Sequence, residues 1–519
     1  MTSILKYLNR ALLVLLLAAF AACSDNEGGN ESNGNGDDGN TETPADGDTY
    51  GYIKDTNGNP VEGVVVSDGY SCTATDAEGR YALTRNADAG FVFYSLPSAY
   101  KVSVDKTYKL PRFFARLQAG TARYDFTLEA LAAPEKRFDL ICIGDPQINE
   151  AAHAVRFKRE AAKDIREYSA AADIPCYAIH LGDLVNNKWA LYSNMVVALQ
   201  PEQTGIPVFS TIGNHDHEFP TANEKEARAK YESFFGPVDY SFNRGDVHIV
   251  SMDNIIHECQ ESAGYTGGFS AEQYEWLKQD LSYVPKDKMV ILCVHIPFRN
   301  SKYAYYDEVL ELLSQYKYAT IMSAHTHSNI NHIHTKNGKE IFEHVTGTSC
   351  GAWWRSTVCT EGTPIGFGIY RIEGAAMKEW NYKSVQHGED FQIRLYRGSD
   401  KFTGGGDASY YFSKKNAGQI VANIWNWDPA WTVNVYENGA KTGTMTQYSD
   451  KDAWTVAYHI GILNNSSSYN KATDHMFYYT LTNPDADVKV EAIDRFGNKY
   501  EQTVFTDPDS HPGIYHLDY

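Results

Sequence analysis

The chain has 519 residues, a formal net charge of −20 and 22% charged residues. This length exceeds one ordinary domain and is sufficient for three. The negative charge argues against a general nucleic-acid binder, because such proteins are held by cationic contacts to the phosphate backbone.

The N-terminus has the pattern of an export signal. Lys6 and Arg10 precede an unbroken apolar run at 11–22, which is too short to span a bilayer and is typical of a signal-peptide core. Residues 20–23 (Phe-Ala-Ala-Cys) resemble a bacterial lipobox, which implies that Cys23 is lipidated and residues 1–22 are removed. An ordinary signal peptide cut nearby is the alternative. We therefore expect an exported bacterial lipoprotein at the outer membrane, on its periplasmic or cell-surface face.

Composition divides the remaining chain into four segments. Residues 23–48 are polar and Gly-rich, and they predict a flexible tether because they bury too little apolar surface to offset the entropy of ordering. Residues 49–132 alternate β-type runs with turns and predict a small N-terminal β-sandwich. Residues 133–385 alternate apolar strands with helical segments, as in layered α/β folds. Residues 386–519 return to β patterning and predict a C-terminal β domain.

Hydrophobic periodicity predicts the elements of the middle segment. Strands are expected at 138–144, 176–181, 207–212, 247–252, 289–294 and 318–323. Helices are expected at 151–170, 222–235, 271–283 and 304–316. Ser270 and Gln273 have the spacing of a capping box at the start of the third helix.

The eight cysteines do not indicate a thiolate metal site, because no CxxC pair is present. Cys142 and Cys293 lie inside apolar runs and are expected to be buried and inert. Cys350 and Cys359 share one loop-like stretch and could pair in an oxidising compartment.

Five polar motifs follow β-type runs in the middle segment, where open α/β sheets place their sites. They are Asp145-Pro146-Gln147, Gly182-Asp183, Gly213-Asn214-His215-Asp216, His295 and His325-Thr326-His327. Together they supply carboxylates, amides and imidazoles sufficient for two adjacent divalent metals, which could clamp a phosphate. We expect His215 to face the phosphate as the catalytic acid and Asp216 to orient or charge it.

The order and spacing of these motifs resemble the calcineurin-like metallophosphoesterase superfamily. The resemblance implies an α/β fold, with a β-sandwich core flanked by helices in four layers and accessory β domains on both sides, as in a three-part bacterial lipoprotein group. It also implies two ligand sets that share Asp183. One metal would take Asp145, Gln147, Asp183 and His327, and the other would take Asp183, Asn214, His295 and His325.

Gln147 stands where this superfamily usually has histidine. Its amide oxygen is a harder ligand than imidazole, so we expect two divalent metals from among Mn, Fe and Zn, with Mn or Fe favoured at this site.

The resemblance implies a phosphoester hydrolase in which a metal-bridging hydroxide is the nucleophile. Few cations flank the motifs, and this, with Gln147, favours a phosphodiesterase. Arg299, Trp353 and Trp354 are weaker candidates for substrate contacts, and packing at a domain interface is as good an explanation for the two tryptophans.

Other functions stay open. The same fold supports a phosphomonoesterase or a hydrolase of diphosphate links. A protein of another class, an inactive surface lipoprotein that binds glycans, is also consistent with the β modules. Expected partners are a small phosphoester, a lipid headgroup or a phosphorylated glycan, and the membrane through the lipid anchor.

Overall fold

A computed structural model describes residues 47–511, except 261–263, 300–301, 352–353, 406 and 415. The predicted signal peptide, Cys23 and nearly all of the predicted tether lie outside the described residues. No helix within the described part is both long and apolar enough to cross a membrane.

The N-terminal region forms two small sheets from seven strands. They are β1 (Thr49–Asp55), β2 (Val65–Ser67), β3 (Cys72–Ala74), β4 (Arg80–Leu83), β5 (Phe91–Tyr94), β6 (Phe114–Arg116) and β7 (Phe126–Leu128). One sheet has the order β4-β1-β7 and the other has the order β3-β2-β5-β6. This region packs on the middle region, where the Trp276 indole donates a hydrogen bond to Ser67 Oγ at 2.9 Å.

The middle region contains two larger sheets. Its strands are β8 (Arg137–Ile143), β9 (Cys176–Leu181), β10 (Val208–Thr211), β11 (Tyr240–Arg244), β12 (Val247–Ser251), β13 (Ile255–His257), β14 (Tyr265–Gly267), β15 (Met289–Cys293), β16 (Tyr318–Ser323), β17 (Ile330–Lys336), β18 (Lys339–Val345), β19 (Gly366–Glu373) and β20 (Ala376–Ser384). The first sheet has the order β10-β9-β8-β19-β20, and the second has the order β11-β12-β15-β16-β18-β17. Strands β8, β9 and β10 run parallel to one another, as do β12, β15, β16 and β18.

Helices cover the outer faces of these two sheets. They are α1 (Ala151–Arg159), α2 (Ala161–Ala171), α3 (Tyr192–Ala198), α4 (Pro201–Thr204), α5 (Glu224–Phe235), α6 (Ala271–Ser282) and α7 (Tyr306–Leu313). Alternation along β8 places Ile141 in the core shared with α1 and α2, and it places Leu140 in the core shared with the second sheet. The result is the expected four-layer α/β core with β domains on both sides.

The C-terminal region is again built from strands. They are β21 (Arg394–Arg397), β22 (Phe402–Thr403), β23 (Ser409–Tyr410), β24 (Gln419–Asn423), β25 (Thr432–Glu437), β26 (Ala440–Thr444), β27 (Thr446–Asp450), β28 (Thr473–Thr480), β29 (Val488–Ile493) and β30 (Lys499–Gln502). They form sheets of order β21-β24-β28-β27 and β26-β25-β29-β30 and a β22–β23 hairpin. One short helix, α8 (Ala453–Val456), continues as a π-helical turn at Ala457–Ile462.

The local predictions for the middle segment are confirmed within a few residues. All six expected strands are present, and Ser270 and Gln273 form the capping box of α6. The expected helix at 151–170 is divided at Glu160, which separates α1 from α2. Cys142 and Cys293 are buried, as expected. Cys350 and Cys359 are both free thiols in buried positions, so the structure does not contain the disulfide that their spacing allowed. The predicted domain boundaries stay predictions.

Candidate metal centre

The five motifs meet at one edge of the two sheets. Asp145 and Gln147 follow β8, Asp183 follows β9, and Asn214 follows β10. His295 follows β15, and His325 and His327 follow β16. Because parallel neighbours present their carboxyl ends at the same edge, side chains far apart in sequence converge there.

Asp183 lies at the centre of this convergence. Its carboxylate belongs to two groups whose potential ligand atoms lie within 4.8 Å of one another, one with His295 and His325 and one with Asp145 and His327. The two groups divide the residues as the resemblance implies, with Asp183 common to both. The metal-ligand roles themselves stay predictions.

His295 is held in one tautomer. Its Nδ1 lies 2.8 Å from the backbone oxygen of Leu181 and therefore carries a proton. Its Nε2 faces Asn214 Oδ1 at 3.1 Å, Asp183 Oδ2 at 3.3 Å and His325 Nδ1 at 3.2 Å. Burial opposes the charged form of His295, but Asp183 and Asp145 outweigh it and raise the pKa of this imidazole to about 9, so a metal at Nε2 would take the place of a proton.

The backbone of the site is strained. Asp145, Gln147, Asp183, His325 and His327 have φ values of 35°, 41°, 56°, 65° and 53°, in the left-handed region that non-glycine residues rarely adopt. Such conformations persist only where the surrounding structure enforces them, and they cluster at functional sites. Gly182, next to Asp183, has a φ of 97°, and a Cβ there would lie 2.5 Å from His295 Nδ1, so the position requires glycine.

The electrostatics of the pocket favour a cation. Burial, followed by the neighbouring Asp183, raises the pKa of Asp145 well above its usual range. The Oδ1 atom of Asp145 has no hydrogen-bond partner among the described residues, and the nearest imidazole, His327 Nε2, is 3.8 Å away. Burial lowers the pKa of His325 and His327 to about 3, so both imidazoles are neutral and able to ligate. These residues therefore fit a pair of divalent metals.

Gln147 directs its amide nitrogen, and not its oxygen, toward Asp183. Its Nε2 donates to Asp183 Oδ2 at 3.4 Å, and its backbone N–H donates to Asp183 O at 2.8 Å. The amide must turn its oxygen inward to coordinate a metal, because an amide nitrogen is not a ligand in its neutral form.

His215 lies beside the ligands without joining either group. Its backbone N–H donates to Asp183 Oδ1 at 2.9 Å, and its Nδ1 lies 2.9 Å from Asn187 Oδ1. With Nδ1 committed to Asn187, Nε2 is the atom available to a substrate. Sequence reasoning missed Asn187, and its position four residues after Asp183 was the available signal.

Asp216 is predicted to orient or charge His215, and that catalytic role stays a prediction, because its carboxylate contacts backbone groups. Its carboxylate accepts hydrogen bonds from the backbone N–H groups of Gly213, Leu184 and Val185 at 2.9–3.3 Å. The Tyr192 hydroxyl donates to the Asp216 backbone oxygen at 2.7 Å. Asp216 thus joins the loop that carries Asp183 to the loop that carries Asn214.

The candidate substrate contacts fall in different places. Trp354 is 2% exposed and stacks on the ring of the candidate ligand His327 with centroids 5.0 Å apart, which agrees with the alternative of a packing role, and its contact with substrate stays a prediction. Trp353 lies outside the described residues. Arg299 is exposed and lines a cavity beside the ligand loop, together with Lys471 from the C-terminal region, which sequence reasoning missed.

Three family models match successive parts of the chain. The family model "Calcineurin-like phosphoesterase" matches residues 138–329. Models for the "N terminal" and "C terminal" of calcineurin-like phosphoesterase match residues 48–131 and 343–500.

Two curated relatives are purple acid phosphatases of Arabidopsis thaliana. Purple acid phosphatase 18 is 28% identical over an alignment of 188 residues, and the match covers 31% of this chain and 40% of the relative. Purple acid phosphatase 15 is 30% identical over an alignment of 141 residues, and the match covers 24% of this chain and 25% of the relative. The chain thus spans two fifths or less of the length of these relatives.

Among solved structures, the 5'-nucleotidase from Candida albicans has a TM-score of 0.31 and 12% identity, and the match covers 49% of this chain and 52% of that one. The 5'-nucleotidase precursor from Thermus thermophilus has a TM-score of 0.30 and 10% identity, with 48% and 54% covered. Together, the three family models show that the chain belongs to the calcineurin-like phosphoesterase family, with both the N-terminal and the C-terminal accessory domains.

Proposed function

We propose that this protein is a metal-dependent phosphoester hydrolase. The observation that carries the proposal is the Asp183 carboxylate, which is shared by two groups of ligand atoms and also accepts the backbone N–H of His215. The family membership and the names of the curated relatives, which are phosphatases, support the same reaction class.

Asp145, Gln147, Asp183 and His327 would hold one metal, and Asp183, Asn214, His295 and His325 would hold the other. Two divalent ions there would neutralise charge on the phosphoryl oxygens and lower the pKa of water at the site. The preference for Mn or Fe at the Gln147 position is part of this proposal.

His215 would act on the leaving group. In the overall reaction, water adds to phosphorus, the ester P–O bond breaks, and the departing alkoxide takes a proton. His215 would give that proton from Nε2, and the contact of its Nδ1 with Asn187, which leaves Nε2 available, supports this role. The proton released by water restores the imidazolium over the cycle.

The finer proposal is a preference for phosphodiesters. Gln147 supports it, as does the small number of cations near the ligands. Hydrolysis of monoesters is the second candidate, and it is favoured by Arg299 and Lys471, whose charges could offset a terminal dianionic phosphate.

The deciding experiment uses the full chain loaded with Mn²⁺. We expect turnover of bis-p-nitrophenyl phosphate to exceed that of p-nitrophenyl phosphate. A strong preference for the monoester would overturn the diester proposal and retain the hydrolase. No turnover of any phosphoester by protein that holds two metals per chain would overturn the hydrolase and favour a binding protein.

We further propose that Cys23 anchors the protein in the outer membrane, where it meets its phosphoester outside the cytoplasm. Cys23→Ser should release the protein into the soluble fraction of the producing bacterium. Retention of this variant in the membrane fraction would contradict the anchor.

A further inference from the structure

A cavity of about 460 Å³ opens where the ligand loop meets the C-terminal region. Its lining includes Thr326, which separates the candidate ligands His325 and His327, and Ser328, which follows them. Trp427 and Lys471 line it from the C-terminal region. Its volume is within the range of small-molecule sites. The cavity is therefore next to the candidate metal centre and distinct from it.

The cavity contains a buried carboxylate with one unused oxygen. Glu361 is 3% exposed, and its Oε1 accepts hydrogen bonds from the Asn329 backbone at 3.0 Å and the Thr363 hydroxyl at 2.5 Å. Its Oε2 has no hydrogen-bond partner among the described residues. A buried acceptor without a donor is costly, so this oxygen indicates that a ligand or solvent group donates to it.

His475 adds a second buried atom without a hydrogen-bond partner among the described residues. Asn423 uses its Nδ2 to donate to Glu361 O and Asp452 Oδ2, so its Oδ1 is the atom that accepts from His475 Nδ1 at 2.7 Å. In the neutral imidazole, Nε2 is therefore an acceptor. This atom is buried, has no hydrogen-bond partner in the described part of the chain, and lies 3.7 Å from Glu361 Oε1.

A donor lies in the same lining. Trp425 is 1% exposed, and its Nε1–H also lacks a described partner. Three residues of the lining thus each carry a buried polar atom with no hydrogen-bond partner among the described residues: Glu361 Oε2, His475 Nε2 and Trp425 Nε1. Hydroxyl groups, which both donate and accept, complement this set, whereas an alkyl chain would leave all three atoms unpaired.

Two cationic side chains also line the cavity. Arg299 and Lys471 are both exposed, line the cavity, and form no ion pair with any other described residue. Both cations share this lining with Thr326, which lies between the two candidate ligands of the His325-Thr326-His327 loop, so the cavity can receive an anionic group beside the candidate metal centre.

We propose that this cavity is the leaving-group subsite and that it takes a polyhydroxylated alcohol, so that the substrate is the phosphate ester of a sugar or polyol. The proposal rests on the proposed hydrolase and names its substrate class. Glu361, His475 and Trp425 would bind the hydroxyl groups of the alcohol while its phosphate lies at the metals.

The test compares two phosphonates, which contain a C–P bond in place of the ester and are not hydrolysed. One is hexylphosphonate, and the other is its polyhydroxylated six-carbon analogue. We expect the Mn²⁺-loaded full chain to bind the polyhydroxylated compound at least about tenfold more tightly by calorimetry, because a set of well-placed hydrogen bonds contributes on this scale. Equal affinity, or tighter binding of hexylphosphonate, would overturn the subsite.

Two variants test whether Glu361 is responsible for the tighter binding of the polyhydroxylated phosphonate. Glu361→Gln keeps the shape of the side chain and replaces the unused acceptor with a donor, so it should reduce the affinity ratio about tenfold. The matched control is Glu491→Gln, in a buried glutamate of the C-terminal region that is already bonded to Asn434 and Tyr436, and it should leave the ratio unchanged. An unchanged ratio in Glu361→Gln would overturn the assignment.

The binding assay is independent of turnover. A protein that hydrolyses aryl phosphoesters without preferring the polyhydroxylated phosphonate retains the hydrolase and loses the subsite. A protein that prefers this phosphonate without hydrolysing any ester retains the subsite and loses the hydrolase. Vesicles that contain phosphatidylinositol, added as competitors, separate the sources. Displacement of the phosphonate assigns the subsite to a lipid headgroup, and no displacement assigns it to a soluble ester.

Discussion

At the scale of single residues, His215 is held by two contacts that leave one ring nitrogen available for proton transfer. Its backbone is tied to Asp183, and its ring is tied to Asn187. Neither contact uses Nε2. A group held in this way can transfer a proton without contributing to metal affinity.

His215→Ala should therefore retain two metals per chain and lose about 10²-fold in kcat, the scale of one acid–base group. Metal content by elemental analysis and kcat on an aryl phosphoester measure the two effects separately. Near wild-type turnover would remove His215 from the mechanism. Asn187→Ala, which removes the ring's partner and leaves the ring, should give a smaller loss in kcat with KM nearly unchanged.

Asp216→Asn should act on stability and metal content together. One acceptor oxygen would become an NH₂ group facing the backbone N–H groups of Gly213, Leu184 or Val185, which costs about 1–3 kcal/mol for a buried unpaired donor. Thermal unfolding and metal analysis are the measurements. A loss of kcat without any change in Tm or metal content would support the predicted catalytic role.

At the scale of elements, the C-terminal region contacts the segment 354–360, which packs against the candidate ligand His327. Arg355 donates to the Leu463 backbone at 2.7 Å, and Ser356 Oγ lies 2.9 Å from His459 Nε2. Both partners follow from the π-helical turn, since His459 lies within Ala457–Ile462 and Leu463 ends it. The segment in turn places Trp354 against the His327 ring.

Trp354→Leu should weaken the metal site that contains His327, because groups that orient a ligand contribute about 10- to 100-fold to affinity. Titration of metal into metal-free protein should show one of two sites weakened. Trp431→Leu is the matched control, since Trp431 is also buried but stacks on Tyr500 inside the C-terminal region. Equal metal affinities in the two variants would contradict the supporting role.

At the scale of the whole molecule, buried neutral histidines predict loss of stability in acid. Burial, with a smaller contribution from Arg495, lowers the pKa of His344 to about 3. The unfolded chain takes up a proton near pH 6.5, whereas the folded chain does so only near pH 3. The unfolded state therefore binds more protons across that interval, and stability falls as pH falls, by about 1.4 kcal/mol per pH unit for each such group.

His344→Gln should consequently flatten the dependence of unfolding free energy on pH between 6 and 4, measured by urea denaturation. His511→Gln, at an exposed position, should leave the slope unchanged. Identical slopes in wild type and His344→Gln would show that His344 is not held neutral in the folded protein.

Metal removal should also destabilise the molecule as a whole. Asp145 and Asp183 are 0–1% exposed and face each other's charge, which bound cations would offset. Ligand present at one hundred times its Kd contributes about 2.7 kcal/mol, so a chelator should lower Tm by about 5 °C. Asp183→Asn, which should not hold two metals, should respond little to the chelator. A wild-type Tm that is insensitive to chelation would contradict the metal centre.

Much of the fold could be predicted locally. Strands β9 and β16 begin and end where the apolar runs predict, because an apolar run is a local property of the sequence. Ser270 and Gln273 cap α6 for the same reason, since both partners lie within one helical turn. The division at Glu160 was not predictable from periodicity, because the apolar pattern continues through it.

The sequence by itself determined which side chains end the strands, and with them the family and the candidate ligands. Only the tertiary structure decided what those side chains face. The Asp216 carboxylate accepts hydrogen bonds from backbone N–H groups, Trp354 stacks on His327, Asn187 contacts the His215 ring, and Lys471 lines the cavity beside the ligand loop. Hydrogen-bond partners and cavities depend on which elements pack together, and a distance along the chain does not report a distance in space.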